Sequence, residues 1–248
     1  MIALKKFIYI FAFIGLCSLV SGCEDRAVAS SNNMIRAINK VISNEEVMIA
    51  IPCMSLRDDK VVPPFVIIDP MLKELGVTAT GHQKDIYLNR IVKYAKVMEK
   101  SGAINLKKSR FKIHMPFVGI KVFNGYEVDY NPDIARTLQI SPYYGLAMAT
   151  IGTLQVNELI KTTAPYFEDG IKYVDITFTV KIDNLLSCID DDTLIESFAK
   201  EEVDNAKATY RLYLDKDSLE WKVQKPKKLN INPVRKFFVY LVDRKSVV

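Results

Sequence analysis

Few reactive side chains in this chain stand at a spacing that chemistry needs. Ser109 and Lys112 are three apart, as in acyl-transfer sites where a lysine activates a serine. That chemistry also needs the serine at a helix start and a Lys-Thr-Gly strand. Ser109 precedes an expected strand, and Lys161-Thr162-Thr163 lacks the glycine. Two fixed positions in four match readily by chance. The two histidines, His82 and His114, lie far apart with no flanking metal pattern, so solvation, capping or a satisfied structural role is the reading for each. Asp190, Asp191 and Asp192 are adjacent, whereas a calcium loop alternates its oxygens around a glycine and ends on a glutamate. Capping of a helix N-terminus accounts for them better, and Asp215 and Asp217 read as turn residues. There is no Gly-x-Ser-x-Gly, P-loop or dinucleotide fingerprint. No catalytic residue, metal-ligand set or cofactor is expected.

The thiols are more informative. Lys5 and Lys6 precede an apolar run from Phe7 to Leu16, followed by Leu19-Val20-Ser21-Gly22-Cys23. Basic, apolar, then small is the layout of an export signal, and the run is short for a membrane-spanning helix. The Leu-Val-Ser-Gly-Cys ending resembles the lipobox of bacterial lipoproteins. That resemblance implies cleavage before Cys23, a diacylated Cys23 thiol and an acylated new amino terminus. It also implies an envelope location. Glu24, rather than aspartate, follows the cysteine, which points to the periplasmic face of the outer membrane. Cys17 leaves with the signal. Cys53 and Cys188 remain, either as one disulfide closing a long loop or as two separate buried thiols.

The chain has 248 residues, and removing residues 1–22 leaves enough for one large domain or two small ones. The formal net charge of +5 falls by two with Lys5 and Lys6, and the remaining charges are mixed along the chain. This excludes a strong nucleic-acid footprint; weak attraction to anionic headgroups or acidic glycans is all the charge supports.

The elements that would position any site divide as follows. Residues 23–32 are polar and small and read as a tether. Residues 33–132 read as a first half: a helix over Asn33–Ile42 with cap residues at Ser31 to Asn33, a buried strand Val47–Pro52, an apolar run Phe65–Ile68, a short helix over Pro70–Leu75, a long helix Lys84–Lys100 stopped by Gly102, and then β-structure. That β-structure turns near Gly119, and Asn124-Gly125 between β-prone runs is a further hairpin signal. This order is similar to a winged-helix arrangement, read here as a packing scaffold. Lys107, Lys108, Arg110 and Lys112 read as a solvated strand edge that discourages aggregation.

Asn131-Pro132-Asp133 and Ser141-Pro142 mark a boundary. Residues 133–225 read as an antiparallel β half with one helix, over Thr193–Glu201. Lys172–Asp183 alternates, with Val174, Ile176, Phe178, Val180 and Ile182 on one side. Ala206–Leu214 and Leu219–Val223 read as a hairpin that places Trp221 on the core. Residues 226–248 read as a basic, then apolar tail, either a last strand or a sticky segment. Tyr126, Tyr130, Tyr143, Tyr144, Tyr166 and Phe167 sit in or beside expected loops, where they suit recognition of sugar, peptide or protein, or cover a seam between halves. The fold class is α+β: a winged-helix-like N-terminal half packed on a C-terminal antiparallel β-sheet half.

Gly152-Thr-Leu-Gln-Val156, Thr163-Ala-Pro165, Gly170 and Val174-Asp-Ile-Thr-Phe178 resemble a glycine-led strand, a Thr-x-Pro turn, a glycine and a second strand in uncharacterised Gram-negative lipoproteins. Thr150 stands where those proteins often have a cysteine. The resemblance implies fold and compartment only. The expected protein is lipid-anchored in the envelope and non-catalytic, held to the membrane by its lipid, with an envelope protein or glycan as partner and no nucleic acid. The alternatives are an envelope hydrolase with an unrecognised site and an antibiotic-protection lipoprotein.

Overall fold

The computed structural model describes residues 25–51, 54–55, 65–68, 81–115, 119–140 and 147–242, and no helix among them is long and apolar enough to cross a membrane. Residues 1–22, Cys23, Cys53, the helix expected over Pro70–Leu75, Tyr143, Tyr144 and residues 243–248 lie outside the described residues.

The fold is α+β. In chain order the described elements are α1 (Ser31–Ile42), β1 (Glu46–Ile51), β2 (Met54–Ser55), β3 (Phe65–Ile68), α2 (Gly81–Ser101), β4 (Ile104–Met115) and β5 (Gly119–Tyr130). Then follow α3 (Pro132–Thr137), β6 (Leu138–Ile140), β7 (Ala147–Thr162), β8 (Tyr166–Glu168), β9 (Ile171–Asp183), α4 (Asp191–Glu196), α5 (Ala199–Asp204), β10 (Lys207–Leu214), β11 (Trp221–Val223) and α6 (Pro233–Val242). One sheet has the order β1-β7-β9-β10-β11, with β6 on β7 and β8 on β9; the other has the order β2-β3-β5-β4.

The chain forms two compact units. The first comprises the described residues up to Ile38 with Leu159–Thr177 and Thr209–Pro226; the second comprises Asn39–Glu158, Phe178–Ala208 and the chain from Lys227.

In the first unit, β9 alternates as its sequence requires, with Val174 and Ile176 fully buried. Tyr210, Leu212 and Trp221 join them, the last from β11, which pairs with β10. Helix α1 adds Met34, Ala37 and Ile38. Its first turn is capped by Ser30, whose Oγ accepts from Asn33 N at 3.2 Å, so the helix begins before the expected cap. Residues 25–30, read from sequence as a tether, are fixed in place. The Asn33 side-chain amide donates to the carbonyls of Asp25 (2.9 Å) and Val28 (3.0 Å), Trp221 Nε1 donates to the Val28 carbonyl (3.1 Å), and Arg26 pairs with Glu220.

In the second unit, β1 is almost wholly apolar and pairs antiparallel with β7 from Glu46 opposite Thr153 to Ile51 opposite Ala147. Residues 33–132 and 133–225 thus both contribute strands to this sheet. Helix α2 buries Ile91, Tyr94, Ala95 and Met98, and the Tyr94 hydroxyl donates to the Ala50 carbonyl at 3.0 Å. Gly102 takes φ +83°, which ends the helix. The winged-helix arrangement is not confirmed: β1 belongs to the larger sheet, and β3 pairs with β5.

Four further expectations are corrected. Asn124-Gly125 is not a turn; both lie inside β5, opposite Arg110 and Ser109, in a ladder that runs from Ile104–Tyr130 to Met115–Gly119. Twelve-residue strands override the local Asn-Gly preference, and the ladder's last pair is Met115–Gly119, where Gly119 has φ +83°. The single helix over Thr193–Glu201 is two, because Phe198 takes φ +63° between α4 and α5 while its ring packs 5.2 Å from Tyr240. The second half accordingly holds more than one helix. Asn131-Pro132 opens α3, with Asn131 Oδ1 accepting from Asp133 N at 3.0 Å. Finally, Phe237 to Val242 is neither strand nor free tail. It lies in α6, capped by Asn232 Oδ1 on Arg235 N (2.9 Å), with Pro233 in the first turn. Phe237 is fully buried, 4.6 Å from the Tyr94 ring.

Gly152 lies inside β7, not at its start. A Cβ there would come within 2.7 Å of the Asp183 carbonyl oxygen and 2.8 Å of Ile182 Cγ2. Gly152→Ala forces backbone apart and is expected to destabilise the protein by about 1–3 kcal/mol, read as a lower urea midpoint. An unchanged midpoint would refute the close approach.

Candidate functional site

Among the described residues, the reactive groups singled out from sequence are not brought together. Ser109 and Lys112 stand on one strand, β4, at an odd separation that puts their side chains on opposite faces, so they form no dyad. His114 is exposed on β4, and His82 lies in the first turn of α2. Cys188 is a free thiol, 6 % exposed, and burial pushes its pKa up, which leaves it a poor nucleophile.

The aspartate run is a cap. Asp190 Oδ1 accepts from Thr193 N (2.8 Å) and Thr193 Oγ1 (2.7 Å), and the Thr193 hydroxyl is the main cause of its lowered pKa. Asp191 pairs with Lys200 at 3.5 Å and Asp192 with Lys100 at 2.9 Å, so the three carboxylates turn to three partners. Among the described residues no group of three or more His, Cys, Asp or Glu side chains is placed to hold a metal ion.

A polar cluster lies in the first unit, on β8, β9 and β10. Strand β10 carries Arg211; β9 carries Tyr173 and Asp175; β8 carries Tyr166 and Glu168. Arg211 Nε donates to Asp175 Oδ1 (3.1 Å) and its terminal nitrogen to Glu168 Oε2 (3.0 Å). The guanidinium carbon lies 5.7 Å from the Tyr166 ring centre and 5.6 Å from that of Tyr173, within cation–π range. The two rings stack 5.9 Å apart, and the Tyr166 hydroxyl donates to Asp175 Oδ2 at 2.9 Å. Desolvation first, then Asp175, raises the Tyr166 pKa; the bond to Asp175 raises that of Arg211.

Every charged group in this cluster is satisfied by another member. Tyr166 was legible as a loop aromatic, but its role is to stack on Tyr173. Phe167, beside it, is 74 % exposed. Sequence reasoning missed Arg211 and Glu168. Period-2 alternation places Arg211 on a polar face, but no local signal says which carboxylates stand opposite it.

Asp215 ties off the β10–β11 turn. It accepts from Ser218 N (2.8 Å) and Ser218 Oγ (2.7 Å) and pairs with Lys222 (3.0 Å). The Ser218 backbone N–H, above all, holds its carboxyl well below the ordinary 3.8. A depressed folded-state pKa adds stability that is complete above the unfolded value and is lost as pH falls from there toward the folded value. The gap in urea midpoint between the parent and Asp215→Asn should therefore be full at pH 7 and shrink below about pH 4. A gap that does not change with pH would refute the charge contribution.

The Asn33 clamp on residues 25–28 can be read by proteolysis. Asn33→Ala removes two hydrogen bonds, each worth about 1 kcal/mol, so trypsin cleavage after Arg26 should quicken by roughly ten- to thirtyfold. An unchanged rate would show the segment to be held by other contacts.

No family model matches this chain, no curated protein matches it, and no solved structure matches it.

Proposed function

We propose that this is a lipid-anchored envelope protein with a non-catalytic binding or structural role, held at the periplasmic face of the outer membrane through Cys23. The observation that carries the reading is the order Lys5-Lys6, the apolar run Phe7–Leu16, and Leu19-Val20-Ser21-Gly22-Cys23. Two or more acyl chains at one residue give stable attachment. Asp25 is the second residue after Cys23, and two extended residues reach at most about 7 Å. Because residues 25–30 are clamped through Asn33, Trp221 and Arg26, the anchor would hold the first unit close to the bilayer surface rather than on a long leash.

The partner reading is an envelope protein or glycan. It is supported by the exposed Phe167 beside the Tyr166–Tyr173–Arg211 surface, since aromatics with an ordered arginine suit such recognition. The finer reading of residues 33–132 as winged-helix-like is supported by α2 leading directly into the β4–β5 hairpin, used for packing.

Mass spectrometry of protein extracted from membranes tests the anchor. The expected product begins at Cys23 and carries a thioether-linked diacylglyceryl group and an amide-linked acyl chain, and Cys23→Ser abolishes both. An unmodified Cys23, or protein recovered in the cytosol, overturns the reading.

A further inference from the structure

The β4–β5 hairpin carries a charge pattern that the anchor does not explain. Between Lys108 and Tyr126 the chain holds Lys108, Arg110, Lys112 and Lys121 and no acidic residue. All four are exposed. Register and pleat put Lys108, Arg110, Lys112 and His114 of β4 on one face with Ile120, Val122 and Tyr126 of β5. Ile120 is 70 % exposed and Val122 55 %. On the opposite face Lys121 Nζ lies 5.4 Å from the Phe123 ring centre. Elsewhere Lys93, Lys100, Lys200, Arg211, Lys222 and Lys236 each have a carboxylate partner. Among the described residues no ion pair involves the four hairpin cations.

A strand edge guarded against aggregation explains cations but not apolar side chains left in water beside them. A phosphate backbone would take the cations and leave Ile120 and Val122 without a use. An anionic bilayer surface takes both: headgroups meet Lys108, Arg110 and Lys112, and the two aliphatic side chains on the same face enter the interface.

We propose that the distal part of the β4–β5 hairpin is a membrane-docking element for anionic lipid, a contact separate from the acyl anchor. The choice of lipid over nucleic acid rests on the envelope reading; the binding itself does not require Cys23 to be acylated.

The test uses the full chain carrying Cys23→Ser, so that no thiol-linked lipid contributes. Its flotation is measured with vesicles of zwitterionic phospholipid alone and with vesicles that also contain an anionic phospholipid. Each cation near such a surface contributes about fivefold in affinity, so Lys108, Arg110 and Lys112, on the face of Ile120 and Val122, should favour the anionic vesicles by about 100-fold, and less as salt rises. K108Q/R110Q/K112Q/K121Q should remove that preference while leaving binding to zwitterionic vesicles unchanged. I120S/V122S should weaken anionic binding by roughly tenfold and keep its salt dependence. R110Q/K112Q, with its urea midpoint measured alongside, guards against a folding defect in the quadruple variant and should lose about 25-fold. Equal anionic binding by parent and quadruple variant overturns the proposal. So does tighter binding of a single-stranded oligonucleotide than of vesicles through the same four residues. Because every protein compared carries the Cys23→Ser substitution, these outcomes are independent of the mass-spectrometric result on Cys23.

Discussion

The burial of β1 is the constraint on which the second unit depends. Its residues Val47, Ile49, Ala50 and Ile51 are removed from water, so both faces of the strand need cover. Its backbone is satisfied by β7 along one edge, and helix α6 packs on it. The Tyr94 hydroxyl on α2 takes the Ala50 carbonyl, and burial pushes that phenol's pKa up, keeping it a neutral donor. Phe237 of α6 fills the space beside the Tyr94 ring, and Arg90 both donates to the Tyr240 carbonyl and lies over the Tyr240 ring at 4.4 Å. One apolar strand thus decides where two helices distant in sequence must go.

In the first unit the equivalent role falls to Trp221. Its ring is buried on the core side of β11, while its indole N–H reaches the Val28 carbonyl, so a single side chain couples a late hairpin to the segment before α1. With Asn33 and Arg26 it turns a polar, glycine-free stretch into ordered backbone. The aromatic and charged cluster around Arg211 has the same character: its stability is cross-strand, made of partners on β8, β9 and β10.

Much of the local structure was legible, for identifiable reasons. Helix α2 announced itself through period 3.6 and the Gly102 stop, β9 through strict alternation, the β10–β11 hairpin through its aspartate-rich turn, and α4 through Asp190. The failures share one cause. Asn124-Gly125 carries a strong two-residue preference, but the ladder from Ile104 to Met115 contributes many more hydrogen bonds than one turn does. Phe-Phe-Val-Tyr-Leu-Val has strand propensity, yet Phe237 and Leu241 become buried only when it coils, and the Asn232-Pro233 start signal was there to be read. Gly152 looked like a strand opener, but its reason is the Asp183 carbonyl beside it.

By itself the sequence determined the α+β class, the strongly periodic helix and strand α2 and β9, and the Asp190 cap of α4, because these rest on neighbours a few residues apart. Only the tertiary structure decided that β1 joins β7, that residues 25–30 are clamped rather than loose, that Arg211 sits between two tyrosines, and that Ile120 and Val122 share a face with Lys108, Arg110 and Lys112. Each of those depends on strand register or on partners far along the chain, and register is set by the packing of whole faces rather than by any short stretch of residues.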